Sequence, residues 1–142
     1  VNESMPLHCA RLVEDALEQL GKSVFGSRIA LLGFAYLENS DDTRNSPTEA
    51  LIEQLQNWCA TLSIHDPWVP EYAKPLLDVV KGADAVVIMV AHDEYKALDL
   101  AKIREALRTP VLVDGRHMVE TAAAEEAGFV FRGLARGRVQ HI

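Results

Sequence analysis

The chain has 142 residues, of which 49% are apolar and 25% charged, and its formal net charge is −7. This length suits one compact domain, and the acidic balance argues against a nucleic-acid binder, which needs a basic surface. No apolar run approaches a membrane span, and the first residues lack the basic and apolar regions of a secretion signal. The two distant cysteines predict free thiols in a reducing, cytoplasmic compartment, with neither a disulfide nor a metal site.

The first predicted element is an amphipathic helix over residues 4–20. Pro6 suits its first turn and Gly21 its end. Its apolar residues recur at helical spacing and define one stripe: Cys9, Leu12, Val13, Ala16, Leu17 and Leu20. The loop "GKSVFGS" follows, so we expect this helix to be an appendage that packs against something else, either its own sheet or the same helix of a second copy.

From residue 28 onward, strands and helices alternate. Residues 46–62 carry the clearest helix start, because Ser46 and Glu49 have the spacing of a capping box with Pro47 between them. The strands are apolar without alternation, which is typical of a parallel sheet covered on both faces. We therefore predict an α/β fold, a Rossmann-like doubly wound parallel sheet of about five strands. The predicted strands are 28–33, 63–66, 83–91, 110–115 and 129–133, and the helices between them are 46–62, 74–82, 99–108 and 117–128.

Polar and charged residues are concentrated where the predicted strands end. Ligands of doubly wound sheets bind beyond the carboxyl ends of the strands. Arg44 and Arg116 both fall in such loops, and arginine is a bidentate partner for phosphate or carboxylate. The alternative is that both form structural ion pairs, Arg44 with Asp41 or Asp42 and Arg116 with Asp114.

Other residues in these loops carry weaker signals. The turn after the first strand contains Gly33 alone, so an autonomous NAD site of the G-x-G-x-x-G type is not expected. Asp66 is interpreted as a turn cap and His65 as a structural residue. Residues 92–94 are predicted to lie in a solvated loop. Cys59 is predicted to be a packing residue within the second helix.

The order and spacing of several motifs resemble one known family. They are "LGFAYLENSDDTRNSP", "DP", "ADAVVIMVAHDEYKALD", "VLVDGRHM" and "AGFVFRG". Together they resemble the UDP-glucose/GDP-mannose dehydrogenase family, in its C-terminal, nucleotide-sugar-binding domain. The resemblance covers about residues 28–133. It implies that residues 28–142 form the UDP-binding domain and that residues 1–27 are the end of a central linking helix and a loop.

The resemblance also implies an activity. Members of this family oxidise the C6 hydroxyl of a nucleotide sugar to a carboxylate with two NAD. The NAD-binding glycines and the catalytic cysteine belong to an N-terminal domain that these 142 residues do not contain. The implied partners are therefore a UDP-sugar, that N-terminal NAD domain and a second copy in a homodimer. This chain alone is expected to be inactive.

Residue by residue, the resemblance implies that Tyr36, Leu37 and Arg116 contact the substrate and that Arg44 reaches toward NAD. Leu37 stands where the family usually has a lysine, which leaves the sugar open between UDP-glucose and UDP-N-acetylmannosamine. Two other functions remain as alternatives. One is a stand-alone nucleotide-binding module without catalysis, and the other is a small Rossmann-like domain with a regulatory or structural role.

Overall fold

A computed structural model describes residues 4–134 and contains five α-helices, two short 3-10 helices and five strands in that range. The helices are α1 (Ser4–Gln19), α2 (Pro47–Asn57), α3 (Leu76–Val80), α4 (Leu100–Ala106) and α5 (Thr121–Glu126). The strands are β1 (Arg28–Leu32), β2 (Thr61–His65), β3 (Ala85–Ile88), β4 (Val111–Asp114) and β5 (Val130–Gly133).

The five strands form one parallel sheet in the order β2-β1-β3-β4-β5. The predicted fold class is therefore confirmed. The last residues of the strands are in register across the sheet: His65, Leu32, Ile88, Asp114 and Gly133. The loops that follow them consequently leave the sheet side by side, along the carboxyl edge.

Alternate strand residues pack into two cores, one on each face of the sheet. Ile29, Leu31 and Val87 lie in the core covered by α1 and α2. Ala30, Val86 and Ile88 point the other way, into the core formed with α3, α4 and α5. This arrangement explains why the strands are apolar at successive positions: both sides of the pleat are buried.

Helix α1 is part of the first core. Cys9, Val13, Ala16 and Leu17 have no exposed surface, whereas Leu20 is 37% exposed. The apolar stripe was expected to pack on its own sheet or on the same helix of a second copy. In the structure it packs on its own sheet. The two ends of the described chain meet here, because the Arg132 guanidinium on β5 donates to the Asp15 carboxylate on α1 at 3.0 Å.

Helix α2 begins as predicted but ends earlier. The Ser46 hydroxyl oxygen accepts from the Thr48 amide, and Pro47 is the first helical residue. The helix ends at Asn57, and Cys59 is exposed and has a φ of 66°. The prediction that Cys59 packs within a helix is therefore wrong. The chain turns sharply there to pair Thr61 with Arg28 in the sheet.

Candidate functional site

The carboxyl edge between β1 and β3 is where the strand order reverses. Strand β1 is flanked by β2 on one side and β3 on the other, and the chain crosses to opposite faces of the sheet to reach them. In doubly wound sheets, loops diverge at such a point and leave a crevice for a ligand. The residues that follow β1, β2, β3 and β4 therefore define the candidate site.

Gly33 makes the first turn of this site possible. Its φ is 105°, a conformation that side chains disfavour, and an added Cβ would lie 2.6 Å from the Cβ of Val90. Its carbonyl oxygen accepts from the Thr48 hydroxyl at 2.9 Å, which fixes the start of α2 to the end of β1. The turn after β1 is thus pressed against the exit of β3.

Tyr36 and Leu37 lie on the loop that follows, and both side chains are about half exposed, at 50% and 52%. The Tyr36 amide donates to the Asp42 carbonyl, so the loop closes on itself. The two residues that the resemblance assigns to the substrate therefore present their side chains to solvent at the carboxyl edge.

Asp66 lies beneath this loop, immediately after β2, and is fully buried. Its Oδ2 accepts from the amides of Phe34 at 2.7 Å and Ala35 at 2.9 Å, and its Oδ1 accepts from the Trp68 amide. Burial alone would raise the pKa of Asp66, but these amide donors together with His92 lower it below its ordinary value. The turn-cap interpretation of Asp66 is confirmed, but the carboxylate also binds the β1 turn.

This carboxylate occupies the position where a dinucleotide-binding turn would face a phosphate. The Phe34 and Ala35 amides already donate to Asp66, and the space beside Gly33 is filled by Val90. A pyrophosphate needs free amides and close backbone approach, and the β1 turn offers neither. The residues present do not fit NAD as an autonomous dinucleotide site.

His92, which follows β3, is fully buried and meets Asp66 from the other side of β1. Its Nδ1 accepts from the Asn39 amide at 2.8 Å, and its Nε2 lies 3.0 Å from Asp66 Oδ2. A backbone amide can only donate, so Nδ1 carries no proton and Nε2–H donates to the carboxylate. The prediction of a solvated loop is wrong for His92. Asp93 and Glu94 are exposed, as expected, but they begin a short 3-10 helix, Asp93–Ala97.

Aromatic residues surround this pair. Trp68 stacks on the His92 ring with an interplanar angle of 27°, and its side chain is 40% exposed. His65 is structural, as predicted: its Nδ1 lies 2.9 Å from the Tyr95 hydroxyl, which donates to the His65 carbonyl. Burial lowers the pKa of His65 and raises that of Tyr95, so both are held neutral.

Arg44 forms an ion pair with Asp42, one of the two partners that the sequence allowed. Its Nε and Nη2 donate to the two carboxylate oxygens of Asp42, at 3.0 and 2.9 Å. The hydrogen bond from Arg44 lowers the pKa of Asp42 to about 2. The Arg44 side chain is nevertheless 86% exposed, so its guanidinium remains accessible just before the start of α2.

Arg116 follows β4 and is exposed. The Asp114 carboxylate accepts from the backbone amides of Arg116, Met118 and Val119, which fixes the turn. Within residues 4–134 no ion pair involves the Arg116 guanidinium. The alternative of an Arg116–Asp114 ion pair is therefore not observed, and Asp114 binds only the backbone amide of Arg116. Strand β3 separates this turn from the β1 loop.

Cys9 of α1 lies under the turn that carries Arg116. An added Cβ on Gly115 would be 3.1 Å from its sulfur. Burial, reinforced by the nearby Asp114 carboxylate, raises the pKa of the Cys9 thiol to about 12. A thiol held neutral in this way is not a nucleophile, in agreement with the predicted packing role.

Among residues 4–134, no group of three His, Cys, Asp or Glu side chains could hold a metal ion, and no helix is long and apolar enough to cross a membrane. A shallow cavity of about 250 Å³ lies at the opposite, amino edge of the sheet, where Asp84 and Arg108 line it. Asp84 is already paired with the Thr109 hydroxyl and the Arg28 amide, so we assign no ligand to this cavity.

The sequence missed Asp66 and His92 as a pair. Asp66 ends one predicted strand and His92 directly follows another, which is a usable signal, but the two strands are separated in sequence by a helix. Only the strand order brings them together, because β2 and β3 flank β1.

The fold and these strand-end loops define a doubly wound α/β domain with a candidate ligand site beyond the carboxyl ends of its strands. A sequence profile of the UDP-glucose/GDP-mannose dehydrogenase family, UDP binding domain, matches residues 30–121. The chain belongs to this family.

Curated relatives agree. A UDP-N-acetyl-D-mannosamine dehydrogenase of Pyrococcus horikoshii is 37% identical over 139 residues, which cover 98% of this chain and 32% of the relative. A UDP-glucose 6-dehydrogenase of Pseudomonas aeruginosa is 33% identical, over 82% of this chain and 29% of the relative. The chain thus spans about a third of the length of the relatives that it matches.

Solved structures give the same result. A UDP-D-ManNAc dehydrogenase from Pyrococcus horikoshii superposes with a TM-score of 0.86 at 37% identity, over 93% of this chain and 31% of that one. An NDP-N-acetyl-D-galactosaminuronic acid dehydrogenase from Methanosarcina mazei superposes with a TM-score of 0.90 at 34% identity, over 99% of this chain and 32% of that one.

Proposed function

We propose that this chain is the nucleotide-sugar-binding part of an NAD-dependent nucleotide-sugar 6-dehydrogenase, which oxidises the C6 hydroxyl of a UDP-sugar to a carboxylate. The observation that carries the proposal is that the region matching the UDP binding domain places Tyr36 and Leu37, half exposed, on a fixed loop at the carboxyl edge. This edge is where ligands of doubly wound sheets bind.

Arg116 supplies the charge for the same ligand. It is exposed on a turn that the Asp114 carboxylate holds in place, and the chain is otherwise acidic, with a net charge of −7. Among residues 4–134 no carboxylate side chain pairs with this guanidinium, which suits it to bind a diphosphate by charge-assisted hydrogen bonds. We assign Tyr36, Leu37 and Arg116 to the nucleotide sugar.

Arg44 is assigned to NAD. The β1 turn cannot cradle a pyrophosphate, so the cofactor must be held mainly by another domain, and this chain contributes a single exposed cation at the start of α2. Asp42 holds that guanidinium in a bidentate pair and so limits the conformations it can adopt. When bound in the complete site, NAD supplies the hydride acceptor.

Leu37 bears on which sugar the site accepts. An apolar side chain 52% exposed at the site favours contact with an apolar group of the ligand over a charged one. An N-acetylated sugar offers a methyl group for such a contact. The N-acetylmannosamine and glucose enzymes are both among the relatives, and we favour UDP-N-acetylmannosamine over UDP-glucose.

A homodimer is also part of this proposal. The apolar stripe of α1 is used inside the chain, so a second copy would contact the outer face of α1 or another surface. Leu7 on α1 and Leu20, the first residue after it, are both partly exposed. Sedimentation equilibrium of the wild type and of Leu20→Glu tests this: a wild type that stays monomeric at high concentration contradicts the dimer.

The nucleotide assignment is tested by an NMR titration of the 142-residue chain with UDP. Half of the enclosing site is outside the chain, and each missing charge-assisted hydrogen bond costs roughly 1.5–3 kcal/mol, so we expect a dissociation constant of about 1 mM. Amide shifts should change at residues 34–39 and 114–119. Arg116→Gln should weaken binding roughly tenfold, the loss of about one such bond.

Arg108→Gln is the control, because Arg108 is also exposed but lies at the amino edge. It should leave UDP binding unchanged. Shifts confined to the amino edge, or equal losses in the two variants, would overturn the assignment. The chain alone should not reduce NAD with UDP-sugars, and measurable reduction would contradict the proposed division of the active site.

A further inference from the structure

Asp66 and His92 form a buried polar pair, and most of its hydrogen bonds are made to the backbone of the loop that follows β1. Neither residue has exposed surface. A buried carboxylate and imidazole cost free energy unless every polar atom is paired. Here each of their four side-chain polar atoms has a partner, and the pair lies at the switch in strand order, not within either apolar core.

The atoms that the pair binds lie on both sides of Tyr36 and Leu37. The Phe34 and Ala35 amides precede these two residues and donate to Asp66. The Asn39 amide follows them and donates to His92. The pair therefore holds the start and the end of the segment that presents the two half-exposed side chains.

The direction of these hydrogen bonds allows only one arrangement. The Asn39 amide donates to His92 Nδ1, and His92 Nε2–H donates to the carboxylate. Asn39 itself has a φ of 54°, and its side-chain oxygen accepts from the Asp93 amide at 3.0 Å. Residue 39 is thus bound twice to the loop after β3.

We propose that Asp66 and His92 are positioning residues for the nucleotide sugar, because they hold both ends of the Tyr36–Leu37 segment in the conformation that faces the ligand. This inference rests on the proposed function of the site. The pair touches the loop and not the ligand, so its effect on binding is exerted through the loop backbone.

Two substitutions of His92 separate the two ends of this arrangement. In His92→Asn the amide oxygen takes the place of Nδ1 and can still accept from the Asn39 amide. In His92→Gln the terminal amide nitrogen takes the place of Nε2 and can still donate to Asp66. Both lose one buried hydrogen bond, so both are expected to lose stability, but only His92→Gln releases the end of the loop.

The experiment is an NMR titration with UDP and a urea unfolding curve for each variant. His92→Gln should bind UDP roughly tenfold more weakly than wild type, the equivalent of about one hydrogen bond, and His92→Asn within about twofold. The ligand-free amide of Asn39 should exchange faster with solvent in His92→Gln than in His92→Asn. Thr109→Val is the control, since it removes the buried bond to Asp84 at the amino edge and should reduce stability without affecting UDP binding.

The outcomes are distinct. If wild type binds and both His92 variants bind like it, or weaken equally in proportion to lost stability, the pair is only structural and the inference is overturned. If wild type shows no shifts at residues 34–39, the proposed function fails and the inference with it. If neither His92 variant folds, hydrogen exchange of the wild type decides. The amides of Phe34, Ala35 and Asn39 should be protected from exchange without ligand, because Asp66 and His92 accept from them. Amides that become protected only when UDP is added would show that the ligand and not the pair orders the segment, and would overturn the inference.

Discussion

At the scale of single residues, Gly33 decides whether the candidate site can form. Its backbone has a positive φ, and the place of a side chain is taken by Val90. The two constraints are independent: one concerns the torsion angle and the other the space. Glycine satisfies both, and it does so where the β1 turn must pass close to β3.

A substitution pair separates these two constraints. Gly33→Ala violates both the torsional and the spatial constraint. Gly26→Ala violates only the torsional one, because Gly26 has a φ of 77° and nothing within 4 Å of an added Cβ. We expect Gly26→Ala to lower the free energy of unfolding by about 1–2 kcal/mol. Gly33→Ala should cost a further ~1–3 kcal/mol from overpacking. Urea unfolding measures both, and equal losses would show that Val90 moves aside freely.

At the scale of secondary structure, α1 belongs to the sheet that follows it. The helix was expected to be an appendage, but four of its apolar residues are completely buried against β3, β4, β5 and α2: Cys9, Val13, Ala16 and Leu17. Together, α1 and α2 therefore cover this face of the sheet.

Two leucines test this role, Leu17 within α1 and Leu20 just after its end. Leu17→Ala should lower the free energy of unfolding by about 2–5 kcal/mol, because it leaves a cavity in the first core. Leu20→Ala should cost much less, since Leu20 is 37% exposed and loses little burial. Chemical denaturation of both variants gives the comparison. A Leu17→Ala protein as stable as wild type would mean that α1 is only loosely attached.

At the scale of the whole molecule, the dependence of stability on pH follows from two neighbouring groups at the end of β2. Burial lowers the pKa of His65, so the unfolded chain binds a proton at this residue before the folded chain does. Stability is then lost as the pH falls below ~6.5, the ordinary pKa of histidine. Asp66, whose folded pKa is also lowered, adds a second loss below ~4.

We expect the free energy of unfolding to fall between pH 7 and 5, by at most about 1.4 kcal/mol per pH unit for one histidine. His65→Asn should flatten the curve in this window while leaving the loss below pH ~4 in place. Urea unfolding at several pH values measures both. An unchanged slope in His65→Asn would assign the effect to another group.

Some features of the fold could be predicted from the sequence and others could not, and the physical reason differs between elements. Apolar runs and capping signals identified each strand and helix, because burial on both faces and the Ser46 cap are local properties. The end of α2 was missed because no glycine or proline marks it: a non-glycine residue, Cys59, adopts the positive φ. Tyr36, Leu37 and Arg116 could be placed at the carboxyl edge, since the end of each strand is local.

The Asp66–His92 pair could not be predicted in the same way. Its two members approach each other only because β2 and β3 lie on opposite sides of β1, and strand order is a property of the whole chain. The burial of His92 likewise depends on the loop from residue 34 to 39 folding over it.

The contact between α1 and β5 has a consequence for the order of folding. Asp15 and Arg132 are 117 residues apart in sequence, and the α1 side of the core cannot be completed until β4 and β5 have joined the sheet. Closing so long a loop costs entropy before it gains contacts, so we expect α1 to dock after the transition state.

In stopped-flow measurements, Leu17→Ala should accelerate unfolding and leave the refolding rate nearly unchanged, whereas a slowed refolding limb would place α1 in the folding nucleus. If α1 docks last, part of the first core, which includes Ile29, Leu31 and Val87, is covered by α2 alone until then. That interval is when the chain is most prone to aggregate.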